Sequence, residues 1–268
     1  MNKIAFLVIL ICCLNSEAAT QKKVKEVAKQ TTQIYVAAMK TIFKNQAVIN
    51  ATDADKSHLF GDHFLDEVKA TYVTTFKSDF PTADNMVTRE MLLSMKAIME
   101  TNKALLLDDS IKVKGFIPAI FAFQLSQRFS NSNFPMRVKF SGFEGKLYNE
   151  LNKPDKWEQS ILKKMERSNW EKGKAHFEII QDEVRYLYPL YHDQACLGCH
   201  GTLKDNGLNQ NKAPSKWTSV NIAGFEMQDF KLDQLGGGVS FAMNKTILEQ
   251  EDSKTRVSMD QKLVLGVY

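Results

Sequence analysis

Residues 175–191, AHFEIIQDEVRYLYPLY, decide the fold class. The stretch reads as a strand, a turn around Asp182 and a second strand. Two further runs belong with it. MRVKFSGF (136–143) alternates as a strand does, and GGGVSFAM (236–243) reads as the closing strand of the same sheet. Everything before residue 132 follows a helical period instead. From Gln21 to about Ala51, apolar residues at Val24, Val27, Ala28, Ile34, Ala38, Ile42 and Phe43 recur at helical spacing, without proline or glycine. After the polar link NATDADKSHLFGDH (50–63), a second helix is expected from Phe64 to Phe76. A third is expected from Thr88 to Leu107, capped by Asp84 or Asn85, with Met91, Met95, Ile98 and Leu105 as its core stripe. VKGFIPAIFAFQLSQRFSN (113–131) is a further amphipathic helix entered through Pro118. KPDKWEQSILKKMERS (153–168) is a short one with Pro154 near its start. Helices first, then an antiparallel sheet with inserted helices, is the α+β pattern.

Directly after the second strand of the opening stretch comes DQACLGCHGTLK (193–204), with Cys196 and Cys199 two residues apart and His200 adjacent. C-x-x-C-H is the attachment signature of c-type haem. Two thiols at this spacing reach the two vinyl groups along one porphyrin edge, and the next residue is then placed to bind iron on the proximal face. Leu197 and Gly198 fill the spacer, and Gly198 is expected to let the backbone wrap that edge. A disulfide between Cys196 and Cys199 would close a very small loop and leave His200 unexplained. A zinc site would want a fourth ligand and usually a second cysteine pair. A thioredoxin-like redox pair would want a strand-to-helix junction in a βαβ unit. The expected cofactor is therefore one covalent haem c, with Cys196 and Cys199 binding the porphyrin and His200 the metal.

Composition agrees with a charge-balanced, solvated surface. The 268 residues carry 35 basic and 31 acidic side chains, a net charge of +4, with lysines scattered between acids. No basic patch is interleaved with aromatics, so no nucleic-acid partner is expected. The start, MNKIAFLVILICCLNSEAAT, sets Lys3 before an apolar run from Ile4 to Leu14, followed by small and polar residues including Ser16 and Ala18. That is the layout of a secretory signal peptide over residues 1–19, with a run too short for the ~20 residues of a membrane span. The bulky Ile11 and Cys12 before the two early cysteines disfavour a lipobox. Removal of the leader takes Cys12 and Cys13 with it, leaving Cys196 and Cys199 as the remaining thiols. An oxidising compartment would join them unless something else claimed them. The expected location is the periplasm, with membrane association as an option. The expected organisation is a haem domain over 20–248 and a polar tail over 249–268, where a longer relative would enter the membrane.

VKGFIPAIFAFQLSQRF, NKPDKWE, VRYLYPLYHDQACLGCHG and LGGGVSFAM, in this order, resemble a family of exported bacterial sensor domains. Those domains carry a single c-type haem on a PAS-like fold and are often found ahead of histidine kinases or chemoreceptors. The resemblance runs from about residue 36 to about residue 245. It implies thioether bonds at Cys196 and Cys199, proximal ligation by His200, and a PAS-like antiparallel sheet packed against long N-terminal helices. No kinase or receptor module follows here, which leaves the output open. The sixth iron position is also open among Met39, His58, His63, His176, His192, water or nothing. The expected function is redox or small-ligand sensing without turnover. The expected partners are haem, the cytochrome c maturation machinery and a redox or signalling protein. The alternatives are an electron carrier and, lacking any marked distal acid–base residue, a peroxidase-like enzyme. Spending over 200 residues on one haem tilts the reading towards sensing.

Overall fold

The computed structural model describes residues 2–82, 85–131, 134–167 and 169–249, with side chains from residue 18 onward. The polar tail beyond Glu249 and the candidate cap Asp84 lie outside the described residues. The chain is α+β, with a four-stranded antiparallel sheet. Two compact units divide it. One holds the helices through Arg137 together with residues 177–186 and the chain from Phe241. The other holds residues 138–176 and 187–240.

The first unit is built on α1 (Asn2–Lys44), whose backbone helix runs without a break through the expected leader. Among the described residues, no helix is long and apolar enough to cross a membrane. α2 (Gln46–Asn50) follows, and α1 packs against α3 (Gly61–Phe76), α4 (Met86–Thr101) and α6 (Pro118–Ser130). The third expected helix is divided, because Asn102 ends α4 and a short α5 (Lys103–Leu107) restarts after it. Asn102 turns its amide back to Ile98 O and across to Gln124 Oε1 on α6, so the break is held from both sides. Asn85 caps α4 by accepting from Thr88 N, and Pro118 sits in the first turn of α6. The core has buried polar ties as well as apolar contacts. Tyr35 donates to Ala122 O at 2.9 Å and Tyr72 to Gln33 Oε1 at 2.9 Å. A buried hydroxyl without such a partner would cost about 1–3 kcal/mol.

The strands are β1 (Met136–Gly142), β2 (His176–Ile180), β3 (Glu183–Tyr191) and β4 (Leu235–Asn244), hydrogen-bonded in the order β1-β4-β3-β2. The last described strand therefore lies inside the sheet, which explains its sequence: β4 is buried at nearly every position and is mostly apolar residues and glycine. Gly237 has φ +142, a region open to glycine. A Cβ on Gly238 would stand 2.7 Å from Tyr188 O. The turn between β2 and β3 is Gln181–Asp182, with Gln181 at φ 57.

The second unit has its own apolar core. α7 (Lys156–Met165) contributes Ile161, Leu162 and Met165, which pack with Leu187 of β3 and Leu235 of β4 beneath Trp157 and Trp170. Its start is a capping box. Asp155 accepts from Glu158 N, and Glu158 accepts from Asp155 N. Glu158, 2% exposed, also accepts from Ser141 Oγ and pairs with Lys139 at 3.1 Å, so its buried charge is compensated.

Candidate functional site

β3 ends at Tyr191, and two residues later Asp193 caps a seven-residue helix, α8 (Gln194–His200), by accepting from Cys196 N at 3.1 Å. Helix geometry then does the rest. Cys196, Cys199 and His200 stand at i, i+3 and i+4, which are neighbours on one helical face. Both cysteines are half-buried thiols outside any disulfide. Cys196 Sγ lies 3.2 Å from Asp193 Oδ1 and donates to it, while burial pushes the Cys199 thiol upward. Gly198 lies within α8, with open space where a Cβ would stand. What it adds is clearance over the helix, and the expected unusual backbone is not needed.

His200 is held at its Nδ1 and covered on one ring face. Its Nδ1 is hydrogen-bonded to Gln228 Oε1. The Tyr148 ring stacks on it at 5.2 Å between centroids, and Phe225 stacks on Tyr148 at 4.7 Å. The Tyr148 hydroxyl points at Cys199 O (3.0 Å) and Glu226 O (2.7 Å) and accepts from Asn221 Nδ2. Burial, with the neighbouring Cys199, pushes the phenol up to about 12, so it remains a donor. Burial also lowers the affinity of His200 for a second proton, against a smaller opposing effect of the Gln228 bond. The imidazole is therefore neutral near pH 7, the form that binds a metal.

His192 is the second imidazole of the site, 5.3 Å from His200 between ring centroids and 4.2 Å from Phe230. Its backbone is fixed by exchange with the 233–234 turn, where His192 N donates to Gln234 O and Asp233 N to His192 O. Burial, then the neighbouring His200, pushes it down to about 4. Its Nε2 is buried with no hydrogen-bond partner among the described residues. The ring fits because position 236 is glycine: a Cβ there would stand 2.5 Å from His192 Nδ1 and closer still to Cε1.

The remaining candidates for the sixth position divide by surroundings. His176 packs against Trp157 and Trp170 in the second unit. Met39 is buried within the helical unit, His58 is bonded to Asn45 Oδ1, and His63 is exposed on α3. Sequence reasoning missed Tyr148, Gln228 and Gly236 as parts of the site. Tyr148 and Gln228 reach it from loops far along the chain, and only the three consecutive glycines at 236–238 were visible as a signal.

Among the described residues, no group of three or more His, Cys, Asp or Glu is arranged to hold a metal ion. The donor set suits a group that brings its own equatorial ligands. It offers two uncrosslinked thiols and one neutral imidazole on a single face, with a buried imidazole nitrogen beside them that has no hydrogen-bond partner among the described residues. These features define a class, an α+β protein that presents a thiol–thiol–imidazole face on a short helix behind a sheet strand. Within that class the chain belongs to the Tll0287-like family, whose model matches residues 17–244. It is also similar to a solved structure described as the cyanobacterial heme-protein Tll0287, at 18% identity and a TM-score of 0.35, over 49% of this chain and 75% of that one. A search of the curated proteins found no match.

Proposed function

We propose that this chain is an exported haem protein with one c-type haem on a PAS-like domain. In this reading Cys196 and Cys199 hold the porphyrin and His200 binds the iron through Nε2. The observation that carries it is the shared face of α8, where two uncrosslinked thiols and a neutral imidazole with its Nδ1 already engaged sit at i, i+3 and i+4. Membership of a family named after a protein that a solved structure describes as a haem protein supports it. Cys196 and Cys199 would each hold the porphyrin through a thioether, the thiol S–H adding across a vinyl C=C with no net oxidation. Bound haem supplies a one-electron couple and a ligand-binding iron. The protein's part is to orient His200, enclose it and exclude water.

The function proposed for this assembly is redox or small-ligand sensing in the periplasm, without turnover, after maturation by the cytochrome c machinery. One observation favours electron transfer as a second reading. The ring stack from His200 through Tyr148 ends at Phe225, which is 41% exposed. A single set of experiments separates the levels. The full chain, expressed with the maturation machinery, is expected to keep its haem through acid–acetone extraction and to give a haem-staining band on a denaturing gel. Cys196→Ser with Cys199→Ser is expected to lose that band. An unmodified peptide mass in the wild-type protein overturns haem attachment. A ferrous form that stays six-coordinate under carbon monoxide overturns gas sensing and leaves redox sensing or electron transfer.

A further inference from the structure

We propose that Gln228 is the positioning residue that fixes the tautomer of His200 and sets the electron-donating strength of its ring. The proposal rests on the reading of His200 as the iron ligand, and its starting point is a local hydrogen-bond chain with one consistent polarity. Gln228 Nε2 donates to Lys146 O at 2.7 Å. A backbone carbonyl can only accept, so the amide must present NH₂ to Lys146 and its oxygen to the other side. On that other side is His200 Nδ1. An amide oxygen can only accept, so Nδ1 must carry the proton, and Nε2 keeps its lone pair. The tautomer thus follows from the fixed polarity of a peptide carbonyl two steps away.

The clamp is rigid for the same reason that it is polar. Asp229 N donates to Gly201 O and Phe230 N to His200 O, both at 3.0 Å, so the segment bearing Gln228 is paired with the end of α8. Lys146 Nζ returns a bond to Gln228 O, and Tyr148 closes one face of the imidazole. The residue type matters as well as the position. A neutral amide accepts the Nδ1 proton without drawing it off. A carboxylate at 228 would pull the imidazole towards imidazolate and stabilise ferric iron. An apolar side chain would release the ring, weaken its donation and favour ferrous iron.

Two arms test this. In the full-length haem-free protein, Cys196→Ser with Cys199→Ser, the ¹⁵N spectrum of the histidine rings is expected to show His200 protonated at Nδ1. Adding Gln228→Met is expected to give a mixture of tautomers. In the haem-loaded protein, Gln228→Glu is expected to lower the reduction potential and Gln228→Met to raise it. Each is expected to change the ferric-to-ferrous ratio about tenfold, equivalent to ~59 mV for a one-electron couple. A residue that merely packs would not give opposite signs for two side chains of similar length. His200 protonated at Nε2 in the parent haem-free protein overturns the proposal, whether or not the variants fold. So do potentials that move in the same direction or not at all. If the wild-type chain takes up no haem, the haem reading fails, while the ¹⁵N arm still decides the role of Gln228.

Discussion

Gly236→Ala puts a single methyl group into the wall of the site, and the structure fixes what it meets. The backbone at 236 is open to alanine, so the cost is one of space. The new Cβ stands 2.5 Å from His192 Nδ1 and nearer still to Cε1, where ordinary contact begins at 3.4 Å, so the ring must retreat by more than about 0.9 Å. It has little room, with Phe230 at 4.2 Å and His200 at 5.3 Å between centroids. Overpacking of this kind costs ~1–3 kcal/mol, and a midpoint of ~2 kcal/mol lowers Tm by ~4–8 °C in a domain of this size. The decisive experiment is a double-mutant cycle by urea denaturation of the full chain. In a His192→Ala background the clash partner is gone, and Gly236→Ala is expected to cost less than ~0.5 kcal/mol, leaving a coupling energy of ~1.5–2 kcal/mol. Equal costs in the two backgrounds would show that the methyl meets something other than His192 and would refute the reasoning.

Gly198→Ala is the opposite case: a helical glycine with open space around it is expected to gain ~0.5–1 kcal/mol in urea melts, and a loss would mean that the clearance over α8 is structurally required. Acidification is expected to destabilise the haem-free double-serine protein. His192 is pushed down to about 4 from 6.5, so between those values the unfolded chain binds the extra proton and stability falls as pH falls. The full difference corresponds to ~3.4 kcal/mol, which the ring's partial exposure reduces to ~1–2 kcal/mol. Thermal melts across that window check it, and a flat profile, or one unchanged by His192→Asn, counts against a buried neutral imidazole.

The parts legible in the sequence were those specified locally. Period 2 in 136–143 and 175–191 and helical spacing in 21–51 and 64–76 depend on neighbours within one element, and those elements formed. Asn102 interrupted the expected Thr88–Leu107 helix because its side chain finds Gln124 on another helix, a partner that no local pattern announces. The C-x-x-C-H motif was visible because Cys196, Cys199 and His200 fall within five residues of one another. Its surroundings were not. Gln228 reaches His200 from 28 residues away, and Tyr148 reaches the carbonyl of the adjacent Cys199 from 51. Each is an ordinary loop residue until the fold places it. His192 was noted in the sequence as one histidine among several, and what distinguishes it is the missing Cβ at 236.

The stretch between α8 and β4 also bears on how the protein ages. It is held by buried amides more than by apolar packing. Asn206, fully buried, donates to Thr218 O and Val220 O, and Asn209 donates to Leu203 O and Thr218 O. Asn206 precedes Gly207, the dipeptide in which spontaneous loss of side-chain ammonia through a cyclic imide is easiest, because glycine leaves the attacking nitrogen unhindered. That chemistry replaces one NH₂ with one oxygen. Here the oxygen would face the same two carbonyls that the amide now binds, turning two attractions into two repulsions. The bonds that shape the stretch are thus also what keep Asn206 from reaching the conformation in which it would cyclise. Any fluctuation that opens this loop exposes it to a change that prevents it from closing again.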